Sequence, residues 1–408
     1  MTSHRAPLDL SFVMIVLLAV ASIPTISPAA APSLMSRTAR HCFVALGTIK
    51  DYTVHGATYE LLIVSPESPL EAALQRAKRA YPRARVIGYL NTMDMNDSMP
   101  HAAETLPHHE DWYLHDALGQ RVRVRADRYK GNRSRFGMNV AKVGYQDFLA
   151  DRAIEILEAG YDGLQLDNVE TDSSYHPSRV GGYISGLPVE LDRASWPEAE
   201  RSMLARIHQR VAQAGLHDRL LIINQIRSGE PEVSRLYLAE VEGANSEGWL
   251  TRDMPHDGRF GWKARMDQAS EVSRSGKILN LINRTSSLSE DESLYLFASY
   301  LLAMDGETLH FYHGTGYRPE STSWRSFYDI DIGQPTGSMS RGDGYYARPF
   351  TGGFVAVNPF DVPTRVQAPA GMVGLSSNPV EAIALQPKSA VILKRSTSTD
   401  RTPPGKLP

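Results

Sequence analysis

Gly160-Tyr-Asp-Gly-Leu-Gln-Leu-Asp167-Asn168 is a short apolar run that ends on a carboxylate. In an extended strand alternate side chains share a face, so Gly163, Gln165 and Asp167 lie on one side and Leu164 and Leu166 on the other. If the leucines pack against a helix layer, Asp167 points inward at the strand's C-terminal end. The competing reading is a structural Asp that caps the following loop. Asp162, at the opposite end of the same run, reads as structural.

Seven comparable runs flank this one: Cys42–Leu46, Glu60–Val64, Arg85–Leu90, Leu220–Ile223, a weaker one ending near Glu247, Lys277–Ile282 and Thr308–Tyr312. Near-continuous apolar strands of this length suit a parallel sheet covered on both faces. Helix-period segments lie between them: Leu70, Ala73, Leu74 and Ala77; Tyr145, Phe148, Leu149, Ala153, Ile156 and Leu157, closed by Gly160; and Leu294, Phe297, Ala298, Leu301 and Leu302. Ser195-Trp-Pro-Glu198 reads as a capping box opening a helix through Met203, Leu204, Ile207 and Val211. Eight strand–helix alternations predict an α/β fold, a (β/α)₈ TIM barrel followed by a small C-terminal all-β domain. No Gly-x-Gly-x-x-Gly follows any strand, which disfavours a dinucleotide-binding sheet.

The expected organisation is a signal peptide over 1–31, the barrel over 40–345, a small β-sandwich-like domain over 346–395 and a disordered tail over 396–408. The leader reading rests on Arg5, the apolar stretch from Ser11 to Ile23, Pro24, and small residues Ala29-Ala30-Ala31. The stretch is shorter than the roughly 18 residues of a span, which predicts cleavage and export to a secreted or periplasmic location, with no stable membrane insertion afterwards. Two long segments, about Thr92 to Asn139 and Thr171 to Ala194, follow strands three and four. The first contains a hairpin-like Trp112-Tyr-Leu-His-Asp-Ala-Leu-Gly119-Gln-Arg-Val. Barrel enzymes build clefts from such loops, so an extended ligand is expected. Strands at Gly353–Val357, Ala382–Leu385 and Ala390–Leu393, with turns at Asn358-Pro359 and Pro387, form the appendage.

Net charge is −3, and the leader contributes one Arg and one Asp, so its removal leaves the balance unchanged. Nucleic acid and anionic membrane surfaces demand clustered positive charge, and neither is expected as a partner. Cys42 is the single cysteine, which excludes an intramolecular disulfide and reads as a small buried residue. No cofactor or metal is expected. His108-His109-Glu110 lacks the i, i+4 spacing of a helical metal pair, and Asp94-Met-Asn-Asp97 lacks the glycine and distant Glu of a calcium loop. No Gly-x-Ser-x-Gly elbow is present. Asn96, Asn132 and Asn283 stand in N-x-[ST] sequons.

Glu247, in Glu242-Gly-Ala-Asn-Ser-Glu247-Gly-Trp249, is the second carboxylate candidate, since Gly243, Asn245 and Glu247 share a face if the weak run is a strand. An exposed loop Glu is the alternative. Cleaving a glycosidic bond needs one acid at the leaving oxygen and one carboxylate at the oxocarbenium-like centre. A pair alone is unspecific among 46 Asp and Glu. Tyr89 and Asn91 after strand three, Gln165 and Asn168 around Asp167, Asn224 and Gln225 after strand five, Asn280 and Asn283 at strand seven, and Tyr312 and His313 at strand eight suit hydroxyl-rich rings. Trp249 and Tyr312 suit stacking. Each has the alternative of satisfying loop backbone.

The stretch from Phe136-Gly-Met-Asn139 through Tyr145 and Phe148 to Asp167-Asn168 resembles the glycosyl-hydrolase-like family 15 group, and more distantly the endo-α-1,4-polygalactosaminidase family. Gly88-Tyr-Leu-Asn91, Glu247-Gly-Trp249, Asp331-Ile-Gly-Gln-Pro335, and Arg348-Pro-Phe-Thr-Gly-Gly353 leading to Val357-Asn-Pro359 carry the likeness across most of the chain. The resemblance implies a (β/α)₈ barrel acting on an α-linked polysaccharide or oligosaccharide, with carboxylates after strands four and six, where Asp167 and Glu247 fall. It is also similar to the α-galactosidase-like clan, in which the strand-four Asp is the nucleophile and a strand-six acid protonates the leaving group. Two other functions stay open on this scaffold: a non-catalytic carbohydrate-binding barrel in exopolysaccharide handling, and a glycosyl transferase. A carboxyl separation within roughly 10 Å separates the catalytic readings from the binding one.

Overall fold

The computed structural model describes residues 38–95, 106–124, 135–169, 189–192, 194–224, 226–376 and 378–396. The leader, Gln225, the sequons at Asn96 and Asn132, nearly all of the loop after strand four and the C-terminal tail lie outside them.

All eight apolar runs form strands of one parallel sheet, in chain order: β1 (Cys42–Ala45), β2 (Leu61–Val64), β3 (Arg85–Asn91), β4 (Gly163–Asp167), β5 (Leu220–Asn224), β6 (Gly243–Glu247), β7 (Ile278–Arg284) and β8 (Leu309–Gly314). A bridge between His41 and Phe311, with the Phe311 N–H donating to the Arg40 carbonyl at 2.9 Å, brings the last strand to the first. The result is a nearly closed (β/α)₈ barrel. Between the strands run α1 (Glu71–Ala80), α2 (Val143–Glu158), α3 (Trp196–Gln213), α4 (Pro231–Leu238), α5 (Trp262–Arg274) and α6 (Glu290–Ala303). Most of the apolar positions that announced α1, α2, α3 and α6 are buried, and Leu70, Phe148 and Leu294 are partly buried against the same core. No helix among the described residues is long and apolar enough to cross a membrane.

Three local departures have physical reasons. The side chain of Ser195 does not cap α3. Its hydroxyl donates to the Asp192 carboxylate at 2.6 Å, and the Asp192 carbonyl accepts the Trp196 N–H, so the capping box is replaced by an Asp-centred turn. No helix joins β1 to β2. That flank is closed by rings instead: Tyr59 on Phe43 at 5.1 Å, Trp324 against Tyr59 at 5.6 Å, and His41 stacked on Phe297 at 5.9 Å. Finally, α6 is buried on nearly every side. A helix apolar all round needs cover all round, and α6 lies between the barrel and a C-terminal antiparallel sheet whose strands at Gly353–Asn358 and Ser389–Arg395 pack on it. Arg348, buried in that sheet's Tyr345–Phe350 strand, donates to the Leu302 carbonyl at 3.0 Å and to the Met304 carbonyl and Asp305. A guanidinium thus satisfies carbonyls that a helix end leaves open.

The insertion after β3 folds back as a three-stranded antiparallel sheet from Asp94–Met95, Arg123–Val124 and Arg135–Gly137. The expected hairpin is present, with His115 bridged to Arg121 around a turn that Gly119 completes at a φ of 73°. His109 stacks on Trp112 at 3.8 Å, and Glu110 pairs with His115 and Arg121. Asp162, at the base of the barrel, accepts from Lys78 Nζ at 2.7 Å and the Val86 N–H at 2.8 Å, which is a structural role.

Candidate active site

The strand register decides which side chains meet. Asn91 pairs with Asp167 across β3 and β4, Asn224 with Asn245 across β5 and β6, and Glu247 with Ile282 across β6 and β7. Paired residues of a parallel sheet share a face, so Tyr89, Asp167, Asn224 and Glu247 all project inward at the C-terminal rim. Asn168 then turns the chain out with a φ of 63°, a left-handed conformation that Asn tolerates. The Asp167 carbonyl is pinned by the Thr92 hydroxyl at 2.8 Å and the Thr92 N–H at 3.1 Å.

The two carboxylates are bridged by one amide. Asn224 Nδ2 donates to Asp167 Oδ1 at 2.6 Å and to Glu247 Oε2 at 3.2 Å. Added end to end, those bonds leave the two oxygens no more than about 6 Å apart. Tyr89 donates its hydroxyl to Asp167 Oδ2 at 2.6 Å. Burial pushes the Asp167 carboxyl above its usual value and the Glu247 charge adds to the push, while the bonds from Tyr89 and Asn224 pull it back. On the other side, Tyr317 donates to Glu247 Oε1, and Arg284 Nη1 stands 3.4 Å from the same oxygen with its guanidinium 4.7 Å over the Tyr317 ring. Burial, then the Glu247 charge, push the Tyr317 phenol far above its ordinary value, so it stays a donor. Two carboxylates, each held by a phenol and sharing one amide, form a preorganised pair at the barrel mouth.

A model of the hypothetical glycosyl hydrolase family 15 matches residues 78–354, more than half of the chain. The chain belongs to that family. No curated protein sequence matches it. Solved structures of similar fold include the glycoside hydrolase domain of PelA from Pseudomonas aeruginosa, 14% identical over 69% of this chain and 96% of that one with a TM-score of 0.43. Aspergillus fumigatus Ega3 in complex with galactosamine is 13% identical over 73% and 98%, TM-score 0.43. A family GH13_31 enzyme is 12% identical over 88% and 99%, TM-score 0.50. At such an identity the likeness to the last of these is one of fold alone.

Within this family 15 barrel, the other expected sugar-contacting residues divide by depth. Tyr89 and Asn224 join the carboxylates directly. Asn91 instead organises the turn after β3, donating to Asp94 at 3.0 Å and accepting the Met93 N–H at 3.0 Å. Gln165 and Asn280 are buried in the barrel below the mouth. Tyr312 is buried too, its hydroxyl donating to the Gly316 carbonyl. His313 faces away from the barrel interior, between the Thr285 hydroxyl at 2.8 Å and the Ser293 hydroxyl at 3.2 Å, and burial pushes it down to about 4. Asn283 is fully buried and donates to the Tyr312 carbonyl at 2.9 Å, so its sequon is closed in the folded protein.

Trp249 corrects the stacking expectation. Gly248, at a φ of 65°, reverses the chain and sends the indole into the core, where it is fully buried and donates to the Arg265 carbonyl at 3.3 Å. Trp249→Phe is therefore expected to cost about 1–2 kcal/mol of stability through lost volume and a lost hydrogen bond. Chemical denaturation would show it, with carbohydrate affinity unchanged. The reading of the sequence passed over Arg284 and Tyr317. Arg284 carries a signal, because it continues the inward series Asn280, Ile282, Arg284 beside Glu247. Tyr317 carries none, since it lies in the irregular segment after β8 and is placed by its carbonyl accepting the Leu46 N–H at 3.1 Å.

The Tyr89 bond supplies a pH prediction. Its donation favours the ionised Asp167, so Tyr89→Phe raises the Asp167 pKa. The acid limb of a pH–rate profile is expected to move up by about half to one unit. A limb that stays in place would remove Asp167 as the group seen there.

Proposed function

We propose that the protein is an exported glycoside hydrolase that cleaves an α-linked polysaccharide or oligosaccharide by a two-carboxylate mechanism. The observation that carries this reading is the Asn224 amide shared by Asp167 and Glu247, which keeps their nearest oxygens within about 6 Å. Retaining enzymes separate their carboxyls by about 5–5.5 Å and inverting ones by about 6.5–9.5 Å, and two carboxylates that share one amide are close enough for the double displacement of the retaining class. In the first step an Asp167 oxygen attacks the anomeric carbon as the glycosidic C–O bond breaks. Glu247 gives its proton to the departing oxygen. In the second step Glu247 takes a proton from water, the water oxygen attacks the anomeric carbon, and the Asp167 ester is released as carboxylate. The leader at the N-terminus supports export, and the family supports a carbohydrate substrate.

The test is reducing-end release from a panel of α-linked polysaccharides by wild type, Asp167→Asn and Glu247→Gln, with the anomer of the first product read by NMR. Release by wild type alone, with retained configuration, is the expected result. Sugar binding by all three proteins without release would leave a binding barrel. Transfer to an added acceptor in preference to water would make the protein a transferase.

A further inference from the structure

Below the mouth, one row of the barrel interior is polar. Asn224, Asn245, Asn280 and His310 are register partners on the successive strands β5, β6, β7 and β8. Their side chains therefore stand side by side on the inward face. Barrel strands are tilted and staggered, so such a row descends. Asn224 is the last residue of its strand, Asn245 and Asn280 are each third in theirs, and His310 is second. The row runs from the carboxylate pair at the top toward the base. Gln165, one inward position below Asp167, adjoins it on β4.

All five side chains are buried. One bond links members of the row, from Asn280 Nδ2 to Asn245 Oδ1 at 2.8 Å. Among the described residues, five buried atoms have no hydrogen-bond partner: Asn224 Oδ1, Gln165 Oε1, Asn245 Nδ2, Asn280 Oδ1 and His310 Nδ1. Isolated exceptions occur in folded proteins, but five together would cost a sum comparable with the net stability of a domain. A ligand that repairs them must be small, must donate to three amide oxygens and must accept from an amide N–H. Burial pushes His310 down to about 3, so it is neutral in the working pH range and its ring either donates or accepts. Among the described residues no three His, Cys, Asp or Glu are grouped to hold a metal ion. Water fits each requirement, and a buried water makes about three hydrogen bonds.

We propose that a file of two or more ordered water molecules occupies the barrel core along this row and holds the Asn224 amide in the orientation that donates to both Asp167 and Glu247. With Nδ2 committed to the carboxylates, Asn224 Oδ1 points back into the row. A water donating to that oxygen, itself held by Gln165 and Asn245, opposes an amide flip that would present an oxygen to two carboxylates. Gln165, Asn245, Asn280 and His310 are then positioning residues, acting on the carboxylate pair through Asn224. This inference does not depend on the protein's being a hydrolase.

A crystal structure of the full chain at a resolution that shows ordered water gives the first test. Water within about 3 Å of Asn224 Oδ1 and of Gln165 Oε1 or Asn245 Nδ2, with a second between Asn280 and His310, is the expected result. Side chains closed on one another, with no solvent density between them, would overturn the proposal. The second test is Asn280→Leu beside Asn280→Ser, reading the Asp167 titration by carboxylate NMR in the ligand-free protein. Leu displaces the lower water and weakens the Asn224 bond, so Asp167 should titrate about one unit higher, whereas Ser leaves room for water and keeps the wild-type value. Equal titration in wild type and both variants would sink the positioning role. Should the Leu variant not fold, the wild-type density still decides.

Discussion

Asp167→Asn is expected to lower turnover by at least about 10³-fold while leaving the thermal midpoint equal to or above that of wild type. On the proposed mechanism, the activity loss follows from removing the oxygen that attacks or stabilises the anomeric centre. The stability gain follows from linkage. Burial raises the Asp167 pKa in the folded protein above its value in the unfolded chain. Between those two values the folded state binds the extra proton, so stability falls as pH rises through that window, and at neutral pH the ionised carboxylate is a net cost. Asn is nearly isosteric, and it removes both the buried charge and its repulsion from Glu247; its single oxygen keeps the Asn224 bond while its N–H donates to the Tyr89 hydroxyl oxygen. A rise of about 1–3 °C at pH 7, shrinking toward zero below the ordinary Asp value, is expected from scanning calorimetry. A drop of several degrees would instead make Asp167 a structural residue.

The same residue shows what the sequence makes legible and what it does not. Alternation along Gly163–Asp167 fixes which face the carboxylate takes, because the period of a strand is two and the leucines can only face the helices. That local rule located Asp167, and the weak strand ending at Glu247 obeyed it as well. The descent of a row across neighbouring strands is set by the stagger of a closed barrel, so the meeting of Asn224 with both carboxylates was not local information. Depth was hidden for a similar reason. Asn280 has the composition of a sugar-binding residue, yet its place three residues into β7 puts it inside the core. Trp249 follows a glycine whose positive φ reverses its direction, and a dipeptide does not reveal a φ. Tyr317 depends on a loop held by one backbone bond to Leu46, beyond any periodicity.

Glu247 carries the second large expectation, and it separates the two steps of the proposed reaction. In a double displacement Glu247 acts first as acid and then as base, so its loss is felt unequally by substrates of different leaving-group quality. Glu247→Gln is expected to lose about 10²–10⁴-fold on a natural glycoside, whose leaving alcohol needs the proton. An activated aryl glycoside departs without that help, so its bond should still break at a rate much closer to wild type. The glycosyl–Asp167 ester then accumulates, because no base is left to activate water. Stopped-flow release of the aryl alcohol should show a burst of one equivalent followed by a slow steady phase, and intact-protein mass spectrometry should show the mass of one added glycosyl unit. Asp167→Asn should show neither. Tyr317 and Arg284 hold the opposite edge of Glu247, so Tyr317→Phe should resemble a mild form of the Gln variant, slowing natural glycosides more than activated ones. Equal losses on both substrates for Glu247→Gln would mean that this carboxylate positions the sugar and transfers no proton.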